Sequence, residues 1–448
     1  MRKNYLIVFA LFFALLFAFL SCKKSSTTDT ITTVIPPNVF NGSINIYSSG
    51  NDTTLQRFLA GKYNTVQGSI LLATSDPIDY QKYFVYLERV KGSVTMYKVP
   101  NKDLSFLSTL RTILGNLQIS VCPELTNFSG LKALDSISGS VVIDRNPKFK
   151  NCVGLETVLQ LASITVTSNP LFSLFSGLQN LTNMTGSLDV SLNPSLQNLI
   201  GLTAVTSIGG NLSLNNNTGF SGFTGLANLS EVKGNLILNS LTQLTSLSNL
   251  VSLNDTITSI SLTDCNSLTN LQGLNNIPCL KSNLSIVSCA NIQNLTGLGK
   301  IDTVRGVIEL SKLDKLNSFT GLNGVKYIRK DIRISECNSL VGMSGFALLD
   351  SIGGELVVQN NDKLLDFSGF TKTKTIRGKF QILENSSLKS LDGLENLKNA
   401  RSTLDIYYNN VLTGYCAAKL LNLSGLAYIS QNKFNPSWAQ IKAGDCSR

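Results

Sequence analysis

Few residues of this 448-residue sequence can do chemistry: nine cysteines, a sparse set of carboxylates and cations, and no histidine. Without histidine, Ser-His-Asp and Cys-His nucleophilic catalysis and histidine-bound metals are excluded. What remains is a carboxylate or Lys/Arg mechanism of the kind polysaccharide-degrading enzymes use, which needs two acids within roughly 5–10 Å. The candidates recur at 24-residue spacing in the column Asp189, Ser213, Ile237, Ser261, Ser285, Glu309, Arg333, Val357, Gln381 and Asp405. No two acids are successive in it. Glu309 and Arg333 are successive and of opposite sign, which reads as a cross-strand ion pair on a solvated face.

These positions belong to a repeat that must place them. A Gly-x-apolar-x-apolar unit begins at Gly42, Gly68, Gly92, Gly115 and Gly139, slips to Ala162 and returns at Gly186; from there to Ser402 each step is 24 residues. Ten such units in succession identify a repeat architecture. The unit reads G-x-L-x-I-x-x-(N/C)-x-x-L-x-x-(L/F)-x-G-L-x-x-L-x-x-I-x. Its opening alternation, as in Gly210-Asn211-Leu212-Ser213-Leu214, is a short strand with one face inward. The later apolar residues, such as Phe220, Phe223, Leu226, Leu229 and Val232, recur every three positions and also point inward. One coil cannot bury both sets, whereas stacked coils can, and about sixteen at roughly 4.8 Å make a rod near 75 Å long.

The eighth column accounts for four of the nine cysteines. It carries Cys122, Asn146, Asn169, Asn193, Asn217, Leu241, Cys265, Cys289, Leu313, Cys337, Asn361, Asn385 and Asn409. A buried Asn there can bond the backbone of its own and adjacent coils, so the cysteines read as ladder residues and not as metal ligands. Cys265 and Cys289 sit on adjacent coils, but side chains leaving a stack in parallel oppose bridging. Cys416 and Cys446 lie outside the ladder and are a candidate disulfide stapling the C-terminal tail in an oxidising compartment.

The N-terminus has the form of an export signal: Arg2-Lys3, an apolar run from Tyr5 to Leu20, then Ser21-Cys22 and a polar Ser/Thr-rich stretch. It resembles a bacterial lipoprotein signal, which implies lipidation of Cys22 and a membrane held through that anchor. The organisation predicted is a signal peptide at 1–21, a tether at 22–38, degenerate capping coils at 39–114, a regular solenoid at 115–409 and a C-terminal cap at 410–448, where the period fails. Lys23 follows Cys22 in place of the Asp that retains such proteins in the inner membrane, so the outer membrane is expected.

The clean units at 186–257 and 354–401 resemble the receptor L-domain class of leucine-rich repeats, and with the lipoprotein-like start the chain is similar to leucine-rich lipoproteins of Bacteroidetes-type bacteria. The resemblance implies an all-β, right-handed leucine-rich-repeat β-helix with little or no helix, binding and not catalysing. The expected partner is a protein or another cell-surface component. No cofactor or metal is expected. Nucleic acid is not expected either, because residues 161–300 carry only Lys233, Lys281 and Lys300 against Asp189, Glu231, Asp255 and Asp264. The more charged residues 301–400, with 14 basic and 12 acidic side chains, are the better candidate for a protein-facing patch. The candidate binding face is Glu309, Arg333, Gln381, Asp405, Tyr407 and Tyr408, with Tyr407-Tyr408 as one aromatic platform. A polysaccharide-binding or polysaccharide-degrading β-helix and a purely structural envelope protein are the alternatives.

Overall fold

The computed structural model describes residues 38–49, 53–254 and 257–448. The signal peptide, Cys22 and nearly all of the tether lie outside the described residues. The chain is a parallel β-solenoid. Seventeen short strands, from Ile44–Ile46 to Ala427–Ser430, form one long parallel sheet in which each strand pairs with the strand one coil before and one coil after it. Among the described residues, the two end strands pair on one side only, so the sheet is open at both ends. At the usual strand spacing it spans about 75–80 Å.

The register follows from the alternation. Leu188, Leu212 and Leu236 are opposite one another, as are Val190, Leu214 and Leu238, and all six are fully buried. A one-residue slip would turn these out and the polar residues in, so burial fixes the pairing. Just before each corner a two-residue strand, such as Ser207–Ile208 or Thr303–Val304, pairs with its counterparts in the neighbouring coils. The rest of each coil is turn whose apolar residues close the core, including stacked phenylalanines such as Phe346 over Phe370 at 5.3 Å.

Turning out of the sheet requires unusual backbone. One non-glycine residue per coil from Lys98 to Gln431 has φ between 53° and 60°. That conformation costs about 1–2 kcal/mol for an L-residue. The ladder residue comes next and supplies the compensation. Asn193 is fully buried; its Oδ1 accepts from the Asn169 amide at 3.0 Å, while its Nδ2 donates to Val166 O at 2.9 Å and Ser191 O at 2.7 Å. Asn146, Asn169, Asn361, Asn385 and Asn409 repeat the arrangement. Asn217 likewise accepts from Asn193 and donates to Val190 O. Cys122, Cys265 and Cys337 keep the donor half, each thiol reaching a carbonyl of the preceding coil.

Both ends depart from the sequence reading. At the N-terminus, a helix at Thr53–Ala60 and one turn at Gln81–Phe84 replace the usual inner turn; Phe58 packs on Phe40 and Phe84 at 5.7 and 5.8 Å. At the C-terminus the repeat does not stop at Asn409, contrary to the boundary read from the sequence. A further coil follows a 23-residue step: Ala427–Ser430 extends the sheet and Asn432 accepts from the Asn409 amide at 3.0 Å. The ladder therefore runs through the first part of the segment read as cap. The tail beyond it folds back as a helix at Trp438–Ala443 that buries Ile441, and Cys416 is bonded to Cys446. It covers the coil only in part, since Leu426 is 64% exposed and Tyr428 45%.

Two stability predictions result. Asn193→Ala strips partners from a buried amide and two carbonyls, so it should lower the unfolding free energy by about 2–4 kcal/mol, whereas Asn193→Cys, which keeps a donor, should cost less; urea unfolding of both variants decides this. Cys446→Ser removes a cross-link across a sequence separation of 30 and should cost about 2–4 kcal/mol in the same assay.

Candidate binding face

The outward positions of the long strands form one surface rich in Ser, Thr, Asn and Gln, interrupted by apolar residues such as Ile237, Val287, Val357 and Leu383, and several of its polar groups are bonded across the strands. Ser335 donates to Ser311 at 3.0 Å, Ser191 to Thr167 at 3.2 Å, Ser285 to Glu309 at 3.0 Å and the Gln381 amide to Asp405 at 3.1 Å. These bonds hold the surface groups in a fixed array along the rod.

The acids of the outward column are too far apart for paired-carboxylate chemistry, and Asp331 and Glu355 at the strand starts, which do lie close together, share the Arg333 guanidinium. Asp189 and Glu309 are five coils apart, about 24 Å at strand spacing, against the roughly 5–10 Å such a mechanism needs. Asp189 is flanked by Thr165 and Ser213, and Asp405 by Gln381 and Tyr428. Burial pushes the Asp189 carboxyl up, partly offset by Ser213. Among the described residues, no three Asp, Glu or Cys side chains gather as a metal site would require.

The expected Glu309–Arg333 ion pair is not made. The register does place the two residues opposite each other, but the guanidinium turns to the strand starts, contacting Asp331 at 2.6 Å and Glu355 at 3.4 Å. Two carboxylates on that side outweigh one, and Glu309 is left with Ser285. Burial raises the Asp331 carboxyl, but the Glu355 amide and the Arg333 guanidinium outweigh it and hold it below its ordinary value.

The Tyr407–Tyr408 platform is also not formed as expected. Tyr407 ends a strand and lies on the sheet face, while Tyr408 occupies the left-handed turn position with φ 60°. It lines a separate polar groove of about 370 Å³ with Asp362, Glu384 and Asn410. Instead, Tyr428 of the seventeenth strand lies opposite Asp405, so the aromatic end of the face is Tyr407 with Tyr428. Recognising Gly425-Leu426-Ala427-Tyr428-Ile429 as a repeat start would have found it.

A second ladder escaped the sequence reading. At the position after the corner glycine, Ser69 Oγ accepts from the Ser93 amide, Ser93 Oγ from Asn116, Asn116 Oδ1 from Ser140 and Asn211 Oδ1 from Asn235, all at 2.8–3.0 Å. The signal was the run of Ser and Asn in the second column. It also explains the corner glycine, because a Cβ at Gly234 would strike the Gly210 backbone at 2.6 Å and the Asn211 side chain.

Cys122, Cys152 and Cys337 are chemically quiet, whereas the hydrogen bond from Cys289 pushes the Cys265 thiol down. Burial pushes the Cys122 thiol to about 11 and Cys337 to about 12, and raises Cys152 further. Cys265 and Cys289 are not bridged; the hydrogen bond they share, and then burial, push Cys289 up.

With this geometry in place, the fold class is defined: the chain is a parallel solenoid of leucine-rich coils, and its N-terminal part is similar to receptor L domains. Residues 38–152, its first five coils, match the family model described as Receptor L domain. Among solved structures it is similar to a leucine-rich repeat protein from Bacteroides ovatus, at 15% identity and a TM-score of 0.21, over 75% of this chain and 82% of that one. No curated protein matches.

Two measurements check this site. At pH 8 a charged maleimide should modify the partly exposed Cys279 of the native protein well before Cys122, Cys152 or Cys337, which should react only in denaturant; peptide mapping reads the order. The Asp331 carboxyl, depressed when folded, contributes stability above its unfolded value that is lost as the pH falls through its lower folded value. Asp331→Asn should therefore flatten the stability profile below about pH 4, by under ~1 kcal/mol because its partner is exposed.

Proposed function

We propose that this chain is a non-enzymatic binding protein of the cell envelope, tethered to the outer membrane through lipidated Cys22 and presenting the outer face of its long sheet to a protein or another cell-surface component. The observation that carries the reading is the continuity of that face. Seventeen in-register strands expose hydroxyl and amide groups, several joined by cross-strand bonds, and along their outward column no two acids are successive. Rigid, pre-ordered polar groups favour recognition, since little side-chain freedom is lost on contact. Extended solenoid surfaces are suited to wide, shallow partners. The charged centre at Arg333 and the Tyr407–Tyr428 end are where such a partner would gain charge selectivity and apolar area.

The anchor reading rests on the order basic residues, apolar run, Ser21-Cys22. A free periplasmic protein shares the basic and apolar segments, and it is Cys22 directly after a small residue that favours an anchor.

The test uses intact cells. Protease and antibody should reach the solenoid from outside, and Cys22→Ala should move the protein from the membrane to the soluble fraction. A photo-crosslinker at Ser261 or Gln359 on the face should trap a discrete partner that the same probe at Asn275, outside the sheet, does not. Equal trapping at both positions, or none, overturns the binding reading; turnover of an acidic polysaccharide abolished by Glu309→Gln would replace it with the enzymatic one.

A further inference from the structure

The charges of residues 301–400 nearly cancel in the sequence, but the fold sorts them. The residue that follows each short corner strand is Lys281, Arg305, Arg329, Gly353, Arg377 and Arg401 in successive coils. The residues before them pair in register, Leu280 with Val304, Val304 with Ile328, Ile328 with Ile352, Ile352 with Ile376 and Ile376 with Ala400. The backbone of the row continues that ladder, Arg329 N to Val304 O at 2.9 Å and Arg401 N to Ile376 O at 3.0 Å. Five cations thus stand in a straight line along the rod, neighbours about 4.8 Å apart, with one gap at Gly353. All five are exposed, and none makes an ion pair among the described residues. The charge count of residues 161–300, which includes Lys281, did not show this row, because most of its members lie further along the chain.

Like charges directly opposite on adjacent strands repel, so an unpaired row is a surface that gains from a bound counter-charge. Two shallow grooves flank it. One, of about 390 Å³, is lined by Cys279, Asp302, Thr303, Arg305 and Arg329. The other, of about 290 Å³, includes Asp350, Lys374 and Lys398; there Lys374 is paired with Asp350 at 2.7 Å, leaving Lys398. Between them Tyr327 is 41% exposed, with the Arg329 guanidinium 5.6 Å from its ring centre. An exposed ring beside a line of cations suits a sugar carrying an acidic group.

We propose that this corner, distinct from the sheet face, is a docking rail for an acidic polysaccharide with about one carboxylate or sulfate per sugar ring. The row offers one cation per coil along a single line. Duplex DNA presents a charge every ~1.7 Å from two strands, a density the row cannot match. A single extended chain with an anionic group on each ring can follow it, laying ring faces on Tyr327 and anionic groups against the arginines.

The experiment measures binding of the full-length protein to polygalacturonate by titration calorimetry at about 50 and about 200 mM salt, with neutral dextran and a DNA duplex alongside. The double variant Arg329→Glu/Arg377→Glu is compared with Lys315→Glu/Lys363→Glu, which changes the net charge equally on another side of neighbouring coils. The expected result is binding that weakens with salt, falls at least about tenfold in the rail variant with a shallower salt slope, and is kept by the control. Circular dichroism establishes that both variants are folded. No binding, equal loss in both variants, or DNA binding as tight and as dependent on the rail as polygalacturonate would each overturn the proposal. Because the sheet face is untouched, the crosslinks at Ser261 and Gln359 should persist in the rail variant, which separates this result from failure of the protein-binding reading.

Discussion

No coil of this molecule can satisfy its own backbone. The strands are bonded only to strands in the coils before and after, and wherever the next coil carries a ladder Asn, the amide that follows the left-handed turn residue finds its acceptor on that side chain. Everything else follows from this dependence on neighbours. Register is uniform because a slip would unpair the sheet, the corner strands and two side-chain ladders together. In the coils with a ladder Asn, the bonds beside the strained turn offset its strain.

The same dependence makes the ends the weakest places. The N-terminal coils fill their interior with two short helices and a group of aromatic rings. The C-terminal tail is stapled by Cys416–Cys446 and buries Ile441, yet leaves Leu426 and Tyr428 partly exposed. A stack without a neighbour must either cover its last coil or tolerate an open edge, and this chain does some of each.

Much of the fold was legible because its determinants are periodic. Leu at the third position, Ile at the fifth and Asn or Cys at the eighth recur often enough that the inward set could be read from spacing alone, and those residues are buried. Harder to read was anything that depends on a side chain's choice among several neighbours. Arg333 lies opposite Glu309 by register but turns to Asp331 and Glu355, a choice set by two acids against one. The seventeenth coil was hidden by a single missing residue and by Ala427 where Leu is usual. The cationic row was hidden because its members are 24 residues apart and diluted by acids, such as Asp362 and Glu384, that lie elsewhere around the coil.

The strands lie across the rod and not along it, and this has a mechanical consequence. Tension between the two ends would load the bonds of one coil boundary at a time, opening them in succession like a zipper instead of shearing them together. Each 24-residue coil that peeled away would release about 80 Å of slack chain, far more than the ~4.8 Å it occupies when stacked. A solenoid built this way can yield by stages and close again coil by coil, with each remaining coil as the template for the next.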